Sequence, residues 1–302
     1  MLGQVTAVLS AVCYALSHIF IRKGQADSSP ADHGLLPVLS ISALLLDFSC
    51  VVVRLVHFTS QPIDVHGLFI PILFAALSGI IGTILGRLAL YRAMEDLGAT
   101  RGVVIKGLSP FVTLLIVMFA LDQPILRGDL VGLGCLALCI VLLFIERQVD
   151  AERHIPLRIF QNSLVIAGFS AVAQGVGHTF RQFSVNGTLP PLYAAAIDVS
   201  VACTGYVLFL AVSRRLRPLL SQYRSSSNAS LLAAGLFSAL AVLLFFTAVQ
   251  QIPVSTVSIL AATEPVIVAL FSVLFFPKLE RITWWSASAA VVVAAGVVLI
   301  SL

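Results

Sequence analysis

The sequence predicts an all-α integral membrane protein in which ten transmembrane helices form two inverted five-helix repeats. Three observations favour this fold class. Of the 302 residues, 59% are hydrophobic and 11% are charged, and the mean hydropathy is +1.04, which is far more apolar than an average soluble domain. The apolar residues are gathered into long runs with short connectors between them. Segments of the first half of the chain also recur in the second half.

Each apolar run is long enough for a helix that crosses a hydrocarbon core of about 30 Å, which needs about 20 residues. Helices are expected rather than barrel strands because the runs lack the alternation of apolar and polar residues that a barrel strand shows, and because helices satisfy their own backbone in lipid. The predicted spans of the first half are Leu2–Ile21, Gly34–Leu55, Gly67–Met94, Gly98–Leu121 and Gly128–Ile145. Those of the second half are Phe160–Phe180, Pro190–Val212, Leu231–Gln250, Val254–Phe276 and Ile282–Leu302.

The connectors between the runs are too short to hold a soluble domain, the longest being residues 146–157 and 213–230. We therefore predict a first repeat over residues 1–146, a connecting loop over residues 147–159 and a second repeat over residues 160–302.

The first span is expected to remain in place because it lacks the basic residues that begin a signal peptide. All five cysteines fall inside predicted spans without metal-ligand spacing, so neither a disulfide framework nor a metal site is expected.

The duplication is visible in two alignments of the chain with itself. Residues 10–20 carry Ser-Ala-Val and then His-x-Phe, and residues 170–180 carry the same pattern, so that His18 corresponds to His178. A second alignment matches Pro110 with Pro265. Because each half holds an odd number of spans, the second copy should enter the membrane upside down, which is the inverted-repeat plan of secondary transporters.

Basic residues lie on both sides of the tight turn between the third and fourth predicted spans. Arg92 and Arg101 are about 7 Å from the turn along their helices and are expected to reach the lipid headgroups. Arg87 and Lys106 are about 14 Å from it, where a charge costs on the order of 3 kcal/mol, so we expect them to face a cavity. Tyr91 shares a helix face with Arg87. A carboxylate or phosphate would suit this corner.

Two prolines interrupt the fourth and ninth predicted spans at equivalent positions. Pro110 and Pro265 lack a backbone donor and free the carbonyls of Lys106 and Ala261. Glu264 stands directly before the second proline. Interrupted helices near the middle of the membrane are where such transporters bind their cargo. We hypothesise that Lys106 and Glu264 form or exchange a charge pair; the alternative is that Glu264 caps a helix or neutralises another base.

The remaining polar candidates are two acids and the paired histidines. Asp47 and Asp198 are predicted to be buried counter-ions of Arg87 and Lys106, or else carriers of a coupling proton. His18 and His178 each lie four residues after a second candidate, Tyr14 and Gln174 respectively. Interhelical hydrogen bonding and gating or proton handling both remain open for the histidines. The predicted substrate-binding residues are Tyr14, His18, Arg87, Tyr91, Lys106, Gln174 and His178.

Several short segments resemble the drug/metabolite transporter superfamily, in particular its EamA-type ten-helix branch. In the first half they are Ala89–Met94, Leu97–Thr100 and Leu108–Phe111, and in the second half Ile252–Ser255, Thr263–Val266 and Leu279–Thr283. The resemblance covers essentially the whole chain and implies two inverted five-helix units around a central cavity that moves amino acids, other metabolites or drugs by alternating access. One departure is Asp122-Gln123-Pro124, which stands where the family usually carries a Gly-Glu-Arg turn.

The sequence therefore predicts a gradient-driven transporter of small metabolites, such as amino acids or other carboxylate-bearing solutes. Its expected partners are a small-molecule solute and membrane lipids, with coupling to a proton or a counter-substrate left open. Nucleic-acid binding is not expected because the net charge of +4 is spread over loops. The alternatives are a lipid scramblase, a non-transporting scaffold or a membrane-embedded enzyme. No cofactor and no enzymatic activity are expected, because the sequence lacks a cluster of acids or histidines near one interface.

Two arguments give opposite orientations in the membrane. Most lysines and arginines of the connectors follow odd-numbered spans, and the positive-inside rule then places both termini outside. The family resemblance implies both termini inside, in a bacterial inner membrane. We leave the orientation open.

Overall fold

The computed structural model describes residues 2–57, 65–121, 157–186, 189–225 and 229–275, with isolated helical positions between 134 and 145 and between 284 and 295. All regular structure in these described segments is helical. The helices of the first half are α1 (Leu2–Ser28), α2 (Leu35–His57), α3 (Val65–Ser78), a π-helical segment (Gly79–Leu85), α4 (Gly86–Leu97), α5 (Ala99–Lys106) and α6 (Ser109–Leu121). Those of the second half are α7 (Leu157–Val185), α8 (Pro191–Val212), α9 (Leu216–Ser225), α10 (Ala229–Gln251), α11 (Val254–Ala261) and α12 (Glu264–Phe275).

Eight helical stretches are long and apolar enough to cross a membrane. They coincide with eight of the predicted spans, whereas the predicted spans Gly128–Ile145 and Ile282–Leu302 lie outside the described residues, isolated positions excepted. Large apolar side chains such as Phe119, Phe209 and Val212 are exposed on the outer faces of these helices. Such a surface is stable in lipid and not in water. The protein is a multi-pass integral membrane protein, and the prediction of an all-helical membrane fold is confirmed to that extent.

The first and sixth spans are longer than predicted. Helix α1 continues seven residues beyond the expected end at Ile21, and α7 continues to Val185, five residues beyond Phe180. A span predicted from hydropathy ends where polar residues begin. Those residues can remain helical when their side chains find hydrogen-bond partners. In α1 the Gln25 side chain donates its amide to the backbone carbonyls of His33 and Tyr91. The amphipathic helix α9 was also missed, since it lies in a predicted connector.

The fourth and ninth spans are each divided into two short helices, as the prolines predicted. Residues 107–108 separate α5 from α6, and residues 262–263 separate α11 from α12. Pro110 and Pro265 are each the second residue of the helix that follows, where the missing N–H has no helical partner to lose. Both interruptions therefore place a helix end inside the span.

Glycine allows the closest contact between the third and sixth spans. A Cβ atom built on Gly177 of α7 would lie 2.7 Å from the Cα of Gly82 in the π-helical segment, a distance that no side chain tolerates. Gly98, with φ of +93°, makes the tight turn between α4 and α5. Without a Cβ atom the residue adopts this backbone conformation at little steric cost.

The helices pack in corresponding pairs from the two halves. Helix α1 lies along α10, and α7 lies along α3, the π-helical segment and α4. The interrupted spans meet one another, since α5 packs on α12 and α6 on α11. Helix α2 packs between α8 and α10. The helix ends created by the two interruptions consequently lie inside the bundle, where they position the candidate site.

Candidate functional site

An ion pair joins the two interrupted spans. Lys106 is the last residue of α5 and Glu264 the first of α12, and the distance from Nζ to Oε2 is 2.5 Å. Both are buried, at 6% and 2% exposure. A cation is favoured at the carboxyl end of a helix and an anion at the amino end, so both charges lie at the helix end that stabilises them. The hypothesised pair is thus formed in the structure.

His18 brings helix α1 into the same cluster. Its Nδ1 atom contacts Oε1 of Glu264, so that one carboxylate holds both Lys106 and His18 through different oxygens. The imidazole also stacks on the Tyr14 ring, with centroids 6.2 Å apart, and meets the edge of the Tyr91 ring at 6.3 Å. Four predicted site residues and Glu264 are therefore packed together.

Arg87 lies beside this cluster with an incomplete set of partners. Its side chain is 5% exposed, and Nη1 donates a hydrogen bond of 2.6 Å to Ser238 Oγ. Its Nη2 atom is buried and has no hydrogen-bond partner among the described residues. Leaving a buried charged donor unsatisfied is destabilising, and such a group often marks the place of a ligand or water. Arg87 and Lys106 are both buried, whereas Arg92 is exposed.

Tyr14 connects this cluster to a second buried ion pair. Lys106 Nζ lies 5.1 Å and Arg87 Cζ 5.8 Å from the centre of its ring, which is the range of cation–π contacts. Its hydroxyl oxygen accepts a hydrogen bond of 3.2 Å from Arg181 Nη1. Tyr14 therefore touches three buried cations through its ring and its hydroxyl group.

Arg181 is the principal functional candidate that the sequence reasoning missed. Its Nε lies 3.2 Å from Asp198 Oδ2, and its Nη2 donates to Thr83 Oγ1 at 3.0 Å. Thr83 and Ser78 donate in turn to the Asp198 carboxylate. The residue was assigned to a connector because the predicted span ended at Phe180. Its spacing of three residues from His178 was the signal that places it on the same helix face.

Two predicted counter-ions are corrected by this geometry. Asp198 is buried, but it pairs with Arg181 rather than with Arg87 or Lys106, because it lies opposite α7 and the π-helical segment. Asp47 is not buried: it is exposed on the outer side of α2, where Ser200 Oγ donates to its carboxylate at 2.9 Å. Neither acid contacts the basic residues that the sequence reasoning assigned to it.

The second members of the repeated pairs have different surroundings from the first. His178 Nδ1 lies 3.3 Å from Ser258 Oγ, and its ring centroid lies 4.6 Å from that of Phe245. Gln174 donates to Ser170 Oγ at 2.9 Å, and Ser170 donates to the carbonyl of Gly86. Gln174 therefore fastens α7 to α4 and does not reach the Lys106 cluster, unlike its counterpart Tyr14.

A small cavity lies at the centre of these groups. Its polar lining residues are Tyr14, Lys106, Ser109, His178, Ser258 and Glu264. The volume is about 10 Å³, which is room for about one water molecule. Sites for small organic molecules occupy roughly 300 to 1,000 Å³. The cavity is therefore too small to hold a metabolite in this conformation.

Comparison with known proteins identifies a family and a likeness of fold to solved structures. The EamA-like transporter family matches residues 1–145 and again residues 162–302. Among 28 matching chains of solved structures, one described only as a crystal structure of a protein has a TM-score of 0.64 and 16% identity, covering 97% of this chain and 94% of its own. That likeness concerns the fold alone. No curated protein matches. With both halves of the chain matched, the protein belongs to the EamA-like transporter family.

Proposed function

We propose that the protein is a secondary transporter that carries small carboxylate-bearing metabolites, amino acids among them, by alternating access through the central chamber. Family membership indicates a membrane transporter of small solutes. The proposal that the solute bears a carboxylate rests on the cationic character of the buried cluster. Lys106 pairs with Glu264, whereas Arg87, which lies 5.8 Å from the Tyr14 ring, keeps a buried donor without a hydrogen-bond partner among the described residues. An anionic solute would supply the missing charge and acceptor.

The proposal includes two inverted five-helix repeats and ten transmembrane helices. It is supported by the equivalent contacts of the two halves. Helix α1 packs on α10, and its counterpart α7 packs on the π-helical segment and the helices that flank it. Helix α1 also contacts the interrupted span formed by α11 and α12, and α7 contacts the interrupted span formed by α5 and α6. The family also matches each half separately. Such symmetry is typical of transporters that open alternately to the two sides of the membrane.

In the proposed mechanism a solute carboxylate replaces Glu264 as the partner of Lys106. Two basic side chains would then hold the solute, with Arg87 donating through the nitrogen that lacks a partner. Glu264 would be left with His18 and would become neutral by taking a proton, since an unpaired carboxylate in a buried site is strongly disfavoured. Solute binding and proton uptake would thereby be linked at one carboxyl group. If the protein instead exchanges one carboxylate solute for another, the second solute takes the place of the first on Lys106 and Arg87, and no net proton is carried.

Flux measurements with the purified protein in liposomes test the assignment of substrate class. We expect labelled carboxylate solutes, amino acids included, to be transported, and Arg87→Gln to lower their flux at least tenfold, because one charge-assisted hydrogen bond at a buried site is worth about 1.5 to 3 kcal/mol. Arg54→Gln, which removes an exposed arginine of α2, is the matched control and should transport normally. Equal flux through Arg87→Gln and Arg54→Gln proteins of equal thermal stability would contradict the proposal, as would transport of cationic solutes alone.

A further inference from the structure

A second and larger cavity lies at one end of the bundle, apart from the central chamber. It is enclosed by the loop between α1 and α2, by α4, by the end of α8 and by the amphipathic helix α9, and we refer to it as the interfacial cavity. Its volume is about 530 Å³, which is the size of a small-molecule site. None of its lining residues lines the central cavity. The two are therefore separate sites.

Three arginines line the interfacial cavity: Arg92 of α4, and Arg214 and Arg215 in the turn after α8. Their side chains are exposed, and none of the three forms an ion pair or side-chain hydrogen bond with the described part of the chain. The acid in the lining, Asp32, is already engaged: its carboxylate accepts the backbone N–H groups of Leu36 at 2.8 Å and Gly34 at 3.2 Å. Three arginines and this one carboxylate are the charged groups of the lining that keep a fixed charge at neutral pH, so together they carry a net positive charge.

The walls of the interfacial cavity are fixed by hydrogen bonds. Tyr223 of α9 donates its hydroxyl proton to Asp32; burial and this carboxylate raise the pKa of Tyr223, so the hydroxyl stays protonated and remains a donor at neutral pH. Gln222 accepts the backbone N–H of Ala31 at 3.2 Å and donates to the carbonyl of Ser29 at 3.2 Å. Helix α9 is thus fastened to the loop that forms the opposite wall.

The backbone places one of these arginines at a position where glycine is the usual residue. Helix α8 ends with the N–H of Arg215 bonded to the carbonyl of Leu210 at 2.9 Å and that of Arg214 bonded to Ala211 at 3.1 Å, the pattern of a Schellman motif. Arg214 has φ of +57°, a left-handed conformation that glycine adopts without steric cost. An arginine here is disfavoured locally, which points to a use for its side chain in the cavity.

One side of the lining is largely apolar and belongs to membrane-spanning helices. Leu88 of α4 and Tyr206, Phe209 and Leu210 of α8 form this side, and Phe209 is 59% exposed. The interfacial cavity therefore has a cationic end, at the level where α8 leaves the bilayer, and an apolar wall that continues into the bilayer. Basic pockets between helices at this depth suit phosphate headgroups, and the apolar wall suits an acyl chain.

We propose that the interfacial cavity binds an anionic phospholipid, with its phosphate on Arg92, Arg214 and Arg215 and an acyl chain along Leu88 and Phe209. A soluble phosphate would satisfy the same arginines but would leave the apolar wall unused. The proposal does not depend on the transported solute.

Lipid titration of the detergent-purified protein, read by native mass spectrometry, tests the site. The probes are phosphatidylglycerol, phosphatidylcholine and glycerol 3-phosphate. We expect phosphatidylglycerol to bind most tightly and glycerol 3-phosphate not to compete with it. Arg215→Gln and Arg214→Gly should each weaken phosphatidylglycerol binding about fivefold, the value of one arginine near an anionic headgroup. Arg214→Gly relieves the left-handed strain, so it should fold at least as well as the wild type while it loses affinity.

The matched controls are Arg217→Gln and Arg224→Gln, which remove exposed arginines of α9 that do not line the cavity. They should bind phosphatidylglycerol within twofold of the wild type. Equal losses in control and cavity variants would overturn the proposal, because they would indicate general attraction to a basic surface. Unchanged binding by both Arg214→Gly and Arg215→Gln would also overturn it. Competition by glycerol 3-phosphate at the affinity of the lipid would assign the site to a soluble phosphate instead.

Discussion

At the scale of single residues, the protein keeps several charges inside a membrane bundle, and their partners decide what each can do. The Arg181 guanidinium is enclosed by Asp198, Thr83 and Tyr14 and lies 5.2 Å over the Phe245 ring. Every side of this cation is occupied. Arg87, by contrast, keeps an unpartnered nitrogen. We infer that Arg181 and Asp198 stabilise the fold, whereas Arg87 keeps a donor that is available to a ligand.

This difference predicts a large effect of Asp198 on stability. Asp198→Asn leaves the Arg181 charge buried without its counter-ion, and we expect a loss of about 3 to 5 kcal/mol, measured as a lower midpoint of thermal unfolding in detergent. Arg181→Gln combined with Asp198→Asn should recover part of that loss, because no unpaired charge remains. Asp47→Asn, at an exposed acid, is the control and should change stability little. If Asp198→Asn were as stable as Asp47→Asn, the ion pair would not be structural.

Sequence reasoning found the inner basic residues and Glu264 because charge in an apolar run is visible without a structure. The proline positions showed where the helices would break, and so which two charges would face each other. The sequence did not show in the same way which acidic side chains face the interior of the bundle. Asp47 and Asp198 have similar apolar neighbours in sequence, yet one points outward and the other into the bundle, which depends on the rotation of α2 and α8 in the packed protein.

At the scale of helices, interruptions create the site and close packing positions it. The two broken spans place a basic helix end against an acidic one. The π-helical segment contains Thr83 and ends two residues before Arg87, so it orients side chains of both buried clusters. Such segments are frequent at functional sites. Its Gly82 permits the contact with α7. The sequence pattern alone did not distinguish this segment from continuous α-helix, because both are equally apolar.

The close crossing of α7 and the π-helical segment predicts a position-specific effect of a single methyl group. Gly177→Ala should destabilise the protein by about 1 to 3 kcal/mol, since its Cβ would meet the backbone of Gly82 and force the helices apart. Gly168→Ala in the same helix is the matched control, because nothing lies within 4 Å of the added Cβ. That variant should be neutral or more stable by up to about 1 kcal/mol, as for any glycine replaced in a helix.

Thermal unfolding of the two glycine variants in the same detergent measures this difference. A Gly177→Ala protein with the stability of Gly168→Ala would show that the crossing has room for a side chain. In that event the π-helical segment would not be held by the contact with α7.

At the scale of the whole molecule, the bundle is closed around a polar centre. The central cavity has room for about one water molecule, and the charges of Lys106 and Glu264 are neutralised by each other in a buried ion pair. Under the proposed mechanism, α5 and α12 separate during transport, and a solute or a proton replaces the ion pair between them. The all-helical membrane bundle was predictable because long apolar runs are visible in the sequence; the small size of the central cavity was not, because it depends on how side chains pack between the helices.

The pH dependence of carboxylate flux into liposomes, compared between the wild type and Glu264→Gln, tests the central claim most directly. If Glu264 exchanges Lys106 for a proton as the solute binds, the transport rate of the wild type should vary with pH. The flux through Glu264→Gln should be at least tenfold lower and should no longer depend on pH. Asp47→Asn is the control for an intramembrane acid outside the chamber and should retain the wild-type profile. A Glu264→Gln protein that transports at the wild-type rate, with the same dependence on pH, would contradict the account.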